Sequence, residues 1–344
     1  MVDVAPILPL FGLRPEEFAV ERIGSGHIHF TYKLSGVSNY ILQRVNKNVF
    51  QQPERIAANL RYAASYLSSY VPDYLFLSCI RSTRGHELEY DAEGYPWRLF
   101  PFIDDTVTFD QVDSPGQAYE AAREFARLTR YLDGADPTVF QYTIDRFHDL
   151  ALRKEQFDDA LLRAKPEIRK SAASCIEQCE RFSALVDQYK DLTSGGSLRL
   201  RIVHNDTKIN NVLFNRTTLK TVAVIDLDTL MPGYFIYDLG DMVRTFVCPV
   251  SEEESNLSKV TFRREIYAAL LEGYLSEMDP VLTAGERKAI PFAGKMMTYI
   301  MAIRFLADYL RGNTYYHITY PEQNLVRSAN QLRLLEVISA NLPD

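Results

Sequence analysis

The sequence predicts an α+β protein in two parts: a small sheet carrying one long helix over residues 1–103, then a larger, mostly helical part over residues 104–344. Two observations predict the division. Up to residue 103, short runs rich in β-branched and aromatic residues alternate with glycine-marked turns. Beyond it, apolar residues recur at three- and four-residue spacing, the period of helices buried on one side. A third observation locates an exception, because residues 199–228 read as a polar loop followed by two short strands.

In chain order, strands are expected at 18–24, 29–34, 39–45, 86–91 and 95–103, with Gly24, Gly36, Gly85 and Gly94 between them. One helix interrupts this series at 51–70. Pro53 suits its first turn, and Ile56, Leu60, Ala63, Ala64 and Leu67 form its apolar stripe. The next helix spans 114–134, with Ser114 and Gln117 spaced as a capping box, Pro115 at the first helical position and Gly134 at the end. Further stripes run through 153–191, 256–277, 287–311 and 322–341, while 212–215 and 221–228 read as strands.

A chain of 344 residues with 47% hydrophobic and 24% charged side chains can bury a large core. Its 45 acidic against 38 basic residues, a formal charge of −7, argue against a surface built for nucleic acid or an anionic bilayer. No run approaches the roughly 18 consecutive apolar residues of a membrane span. The apolar segment 6–13 carries two prolines and lacks a basic flank, unlike a secretory leader. A cytoplasmic protein with no nucleic-acid or membrane partner is therefore expected; a monomer is expected too, with the oligomeric state left open by the sequence. Four scattered cysteines read as thiols, and Cys175 and Cys179, four apart on one helix face, as packing residues.

The most specific chemistry lies in the loop from His204 to Asn211, with the spacing H-x-D-x-x-x-x-N, followed by a strand, a turn and a second strand ending at Asp226 and Asp228. Phosphoryl transfer to a hydroxyl needs a carboxylate to orient or deprotonate the acceptor, and hard oxygen ligands to hold magnesium against the donor phosphates. Asp206 fits the first role. Asn211 and Asp226 fit the second, and Lys208 could neutralise charge growing on the transferred group. Asp238 and Asp241 open a further expected helix, where they would cap it and brace the loop.

The loop and the following run from Ile225 to Gly233 resemble the catalytic and metal segments of the protein-kinase-like small-molecule kinases, the superfamily of aminoglycoside and choline kinases. Within it, the runs at 24–32, 40–46, 204–211, 225–233, 304–316 and 320–327 resemble the bacterial N-acetylhexosamine 1-kinases. The resemblance implies a protein-kinase-like fold with an antiparallel sheet in the N-lobe and nucleotide in a cleft. It also implies ATP with Mg2+ as cofactors, and transfer to the anomeric C1 hydroxyl of an N-acetylated hexosamine. By position, Asp206 is then the general base, Asn211 and Asp226 the magnesium ligands, and His27, Asp228, Arg304 and Tyr315 the sugar contacts.

Residue by residue, alternatives stand beside those roles. Gly24 and Gly26 suit either a plain hairpin turn or close approach of backbone to phosphates. Asp228 could bond a sugar hydroxyl or support Asp226. Arg304, on an apolar stripe, needs a partner, which is either Asp308 four residues on or a bound sugar. Where the wider kinase pattern has a phosphate-pairing lysine, this sequence has Gln43 and Arg44. Adenine is expected against the backbone near Phe102. A different acceptor, such as another sugar, an amino alcohol or an aminoglycoside, is the alternative; a cationic one would suit an acidic or aromatic-lined pocket, for which the acidic run Glu252 to Glu254 is a candidate.

Overall fold

Strand β1 (Ala19–Ile23) opens an antiparallel sheet that continues through β2 (Phe30–Ser35) and β3 (Tyr40–Arg44). After helix α1 (Pro53–Tyr70) come β4 (Glu89–Tyr90) and β5 (Pro96–Pro101), giving the sheet order β1-β2-β3-β5-β4. The computed structural model describes residues 3–23 and 29–342, so the expected turn at Gly24, Gly26 and His27 lies outside the described residues. The chain forms two units, the first made of Met1–Val107, Gly134–Asp145 and Leu213–Pro232, the second of Thr108–Asp133, Arg146–Val212 and Gly233–Asp344.

Alternation along the strands gives the sheet of the first unit two unlike faces. Tyr32, Leu34, Leu42, Trp97 and Leu99 pack on one side against Val4, Ile7, Leu8 and Phe11, so the apolar N-terminal segment is part of this core. Thr31, Gln43 and Arg98 stand on the other side, paired across β2, β3 and β5. Helix α1 starts with Pro53 in its first turn, and Ile56, Leu60, Ala63 and Leu67 are buried as the stripe predicts. Its buried Asn59 donates to the carbonyls of Gln141 and Leu230 and accepts from the Gln141 amide, tying α1 to the later segments of the same unit. A short strand β6 (Thr106–Val107) closes the first stretch of chain.

In the second unit, α2 (Pro115–Tyr131) has Ser114 accepting from the Gln117 amide. The Gln117 side chain accepts from the Asp113 amide rather than from Ser114 itself, so the capping box is displaced by one residue. Gly134 does not end this helix. It belongs to the first unit, where a Cβ would collide with the Tyr66 hydroxyl. The single stripe expected at 153–191 is four helices: α3 (Leu150–Arg163), α4 (Pro166–Ser171), α5 (Ala173–Arg181) and α6 (Ala184–Ser194). Pro166 cannot continue α3 but is well placed to start α4. Cys175 and Cys179 are buried on α5 as free thiols.

Strand β7 (Arg201–Val203) leads into the polar loop, which ends in a turn of 3-10 helix at Ile209–Asn211. Strands β8 (Val212–Asn215) and β9 (Thr221–Val224) follow, β8 pairing antiparallel with β6. After β10 (Met231–Gly233) come α7 (Phe235–Phe246), α8 (Arg264–Met278), α9 (Ala284–Leu310) and α10 (Gln323–Asn341). Helix α9 is long and apolar enough to cross a membrane by length and composition, yet 78% of its most apolar window is buried inside the protein. It packs chiefly against α3, α7 and α10, with smaller contacts to α5 and α6. At Gly240 of α7 a Cβ would strike the Ala293 carbonyl, so glycine lets α7 and α9 approach closely enough to present the α7 aspartates from a fixed position.

Candidate active site

The loop after β7 is held chiefly through its backbone. Asp238 of α7 accepts from the His204 amide at 2.9 Å and from the Asn205 amide at 2.7 Å, and Asp241 accepts from the Thr207 amide at 2.9 Å. Both aspartates therefore brace the loop as expected. They do so from within α7 rather than as caps, because the helix already begins at Phe235. Arg244 holds Asp241 through two hydrogen bonds of 2.8 and 3.1 Å and reaches Glu252 at 2.9 Å. Asp238 has only amides and no cation at ion-pair distance among the described residues. Burial pushes its carboxyl up to about 6, against the pull of His204 and the two amides.

Asp206 follows Asn205, a non-glycine residue in the left-handed region at φ 66°. Its carboxylate meets the Lys208 ammonium at 3.0 Å on one oxygen and the Asn211 amide at 3.2 Å on the other. Burial acts to raise the Asp206 carboxyl, but Lys208 and His204 outweigh it and hold the group below the usual carboxylate value. Lys208 is correspondingly held above its usual value by Asp206. The Asn211 amide nitrogen also donates to the Asp206 carbonyl at 2.9 Å, which leaves its side-chain oxygen as the atom able to ligate a cation.

Arg304 does not pair with Asp308. Asp308 accepts instead from the amides of Thr314, Tyr315 and Tyr316 and from Asn324, so it organises the loop after α9. The Arg304 guanidinium is half-buried and lies 5.3, 5.9 and 5.6 Å from the ring centres of Phe147, Tyr315 and Tyr316. Among the described residues it has no carboxylate partner. Nearby Arg153 donates to the carbonyls of Phe147 and Arg146 and to the Gln156 side-chain oxygen, with no carboxylate at ion-pair distance among the described residues; burial and Arg304 bring its pKa down to about 10. Tyr315 is 64% exposed. Each residue of the acidic run is paired: Glu252 with Arg244, Glu253 with Arg327 and Gln323, and Glu254 with Lys259.

In the first unit, Asp226 adopts φ 57° at the end of the β8–β9 segment. Potential ligand atoms of His29, Asp226 and Asp228 lie within 4.8 Å of one another. Asp228 is buried, with one oxygen 2.5 Å from Arg98 and the other 2.6 Å from His29 Nε2. Burial would raise its carboxyl, but Arg98 and His29 drive it far below the usual range. His29 Nδ1 accepts from the Asn46 amide at 3.1 Å, so Nε2 carries the proton and donates to Asp228.

The residues at the expected lysine position point in opposite directions. Gln43 shares the polar face with Arg98 and Thr31, accepting from the first at 3.0 Å and donating to the second at 3.1 Å. Arg44 lies on the core side, beside Asp91 and Glu93 and under the Tyr95 ring at 3.5 Å. Phe102 is half-buried with the Lys33 ammonium 4.2 Å from its ring centre.

Sequence reasoning did not find Arg98, His29, His148 or Arg153. The signal for Arg98 was a charge alternating with Trp97 and Leu99 on one strand, which places it on the polar face. Nothing in the sequence singles out His148.

A family model described as the phosphotransferase enzyme family matches residues 19–281. The fold is similar to that of a microcompartment-associated aminopropanol kinase, at 17% identity and a TM-score of 0.71, covering 98% of this chain and 97% of that one. It is similar to an aminoglycoside phosphotransferase from Alicyclobacillus acidocaldarius at 12% identity and a TM-score of 0.64, covering 95% and 93%. A spectinomycin phosphotransferase in complex with ADP and spectinomycin gives 12% identity and a TM-score of 0.60, covering 98% and 97%. These likenesses concern the fold, which is protein-kinase-like, with an antiparallel sheet in the N-terminal part and a helical C-terminal part. With the family model spanning most of its length, the chain belongs to the phosphotransferase enzyme family.

Proposed function

We propose that the protein transfers a phosphoryl group from ATP to the anomeric C1 hydroxyl of an N-acetylhexosamine, with Asp206 as general base. The observation that carries the choice of acceptor is the corner formed by Arg304, Arg153 and the rings of Phe147, Tyr315 and Tyr316. Among the described residues neither guanidinium has a carboxylate partner; Arg153 is engaged by the Phe147, Arg146 and Gln156 oxygens, whereas the N–H groups of Arg304 suit a neutral, oxygen-rich acceptor whose hydroxyl and carbonyl oxygens can receive them. A cationic amino alcohol or aminoglycoside brought within about 6 Å of such a charge would meet repulsion of roughly 1–3 kcal/mol. The acidic run that could have received a cation is already neutralised within its own ion pairs.

Asp226 and the side-chain oxygen of Asn211 are the proposed magnesium ligands, and both are hard oxygen donors of the kind that ion prefers. When bound, magnesium would screen the donor phosphates and the charge moving onto the leaving group. Lys208, paired to Asp206 at 3.0 Å, supports an ionised carboxylate, and we assign it the charge growing on the transferred phosphoryl. The complex of spectinomycin phosphotransferase with ADP supports a nucleotide donor for this fold. We assign the enzyme to the cytoplasm, where ATP is available and its free thiols would stay reduced.

The direct test is ADP release with N-acetylglucosamine, N-acetylgalactosamine, glucosamine, galactose, aminopropanol, choline and spectinomycin, with the product position read by phosphorus NMR. Phosphorylation at C1 of the N-acetylated sugars supports the proposal; faster turnover of the cationic acceptors overturns it. Arg304→Ala is expected to raise the acceptor KM by about 10- to 150-fold, the worth of one charged hydrogen bond. Its nucleotide KM should stay near wild type. Equal losses for both substrates would remove Arg304 from the acceptor site.

A further inference from the structure

We infer that His148 is a positioning residue for Asp206, clamping the Asn205 carbonyl through a neutral imidazole that carries its proton on Nε2. The peptide plane between Asn205 and Asp206 is the last rigid unit before the catalytic carboxylate, so its orientation sets where that side chain starts. Both polar edges of this plane are held by histidines. The Asn205 oxygen lies 2.8 Å from His148 Nε2, and the Asp206 amide donates to His204 Nδ1 at 3.2 Å. The plane follows a left-handed residue, a backbone conformation that an L side chain adopts only when its surroundings hold it there. The Asn205 amide is fixed on Asp238 and its side chain donates to the Val203 carbonyl, so His148 supplies the anchor on the remaining side.

Geometry also fixes the state of the ring. The Asn205 carbonyl can only accept, so Nε2 must bear the proton. Among the described residues the buried His148 Nδ1 has no partner, so a proton there would find no acceptor among them. The charged groups that bear on the ring agree: burial pushes its pKa down to about 4, with Arg304 and Arg153 adding to the shift and Asp241 opposing it. The site is rigid at its own end as well. Asp149 caps α3 and holds Arg146, while Arg153 grips the Arg146 and Phe147 carbonyls. Phe147 lies under Arg304, so adjacent residues of one turn serve the acceptor corner and the catalytic loop.

This inference rests on Asp206 being the base, and the experiment separates the two. His148→Phe keeps the ring and removes the donor; His148→Gln offers an N–H of similar reach. With whichever acceptor the panel identifies, H148F should lower kcat by about 100-fold, the effect of a small misplacement of a reacting group, with both KM values near wild type. H148Q should recover most of that loss, and the acid limb of its pH profile should coincide with wild type. H148F retaining more than half of wild-type kcat, or H148Q as impaired as H148F while both melt at the wild-type temperature, overturns the inference. If H148F does not fold, nitrogen-15 NMR of the wild-type enzyme at pH 7 decides: a protonated Nε2 and bare Nδ1 at His148 support it, and the other tautomer or an imidazolium overturns it. Asp206→Asn is assayed in parallel. An active D206N defeats the base assignment itself, whereas an inactive D206N with a fully active H148F defeats only the role of His148.

Discussion

Asp206→Asn is expected to lower kcat by about 10²- to 10⁴-fold, the contribution of a positioned general base, while nucleotide affinity and melting temperature stay near wild type. The carboxylate oxygens now meet two donors, the Lys208 ammonium and the Asn211 amide. An asparagine can accept from only one of them and cannot take a proton at all. The pH profile adds a second check. A base works only when ionised, and Asp206 is held below the ordinary carboxylate value, so its own protonation would appear only beneath that value. Asp238 is pushed up to about 6, and its protonation would turn a hydroxyl toward an amide it now accepts from. Wild-type kcat is therefore expected to fall as pH drops through about 6, well before Asp206 itself is protonated. A profile flat down to pH 5 would show that the Asp238 brace does not control the rate. D206N retaining more than a tenth of wild-type kcat would remove Asp206 as the base.

What the sequence made legible follows from which features are periodic or contiguous. Each strand expected before residue 103 is present, because alternation and glycine turns are local signals. The helix around Ile56 and Leu60 was equally plain, since Pro53 and an unbroken stripe agree. Local signals failed where a short break matters. Pro166 divides one long apolar stripe, and Gly134, which looks like a helix end, is instead a close contact of Tyr66. The loop from His204 to Asn211 stood out because its polar residues lie in eight consecutive positions. Of the partners that hold its backbone, Asp238 and Asp241 were legible as braces from the aspartate pair, but His148, which reaches Asn205 across 57 positions, was not. Strand alternation settles the question that Gln43 and Arg44 raised, since adjacent residues of a strand face opposite sides and only Gln43 shares a side with Arg98.

That arrangement carries the second large effect. Arg98→Met should destabilise the enzyme by about 3–5 kcal/mol at neutral pH, the usual cost of removing one partner from a buried ion pair. Arg98 and Asp228 are 2% and 3% exposed, so water cannot replace the lost guanidinium, and Gln43 also loses the donor to its side-chain oxygen. The sign of the pH dependence distinguishes this from a simple packing defect. In the wild type, Asp228 is held far below its unfolded value of about 3.9, so its stabilisation is present above that value and lost as acid drives the pH beneath it. In Arg98→Met, burial without the cation raises the carboxyl instead, and the variant's deficit should shrink as pH falls from 7 toward 4.5. Urea denaturation of both proteins across that range measures the trend. A deficit independent of pH would mean that lost volume, not lost charge, is responsible. Replacing Asp228 by leucine in the Arg98→Met background should then recover much of the stability, because no charge is left buried, while turnover stays low if Asp228 supports Asp226. Recovery of both together would show that the pair serves the fold alone.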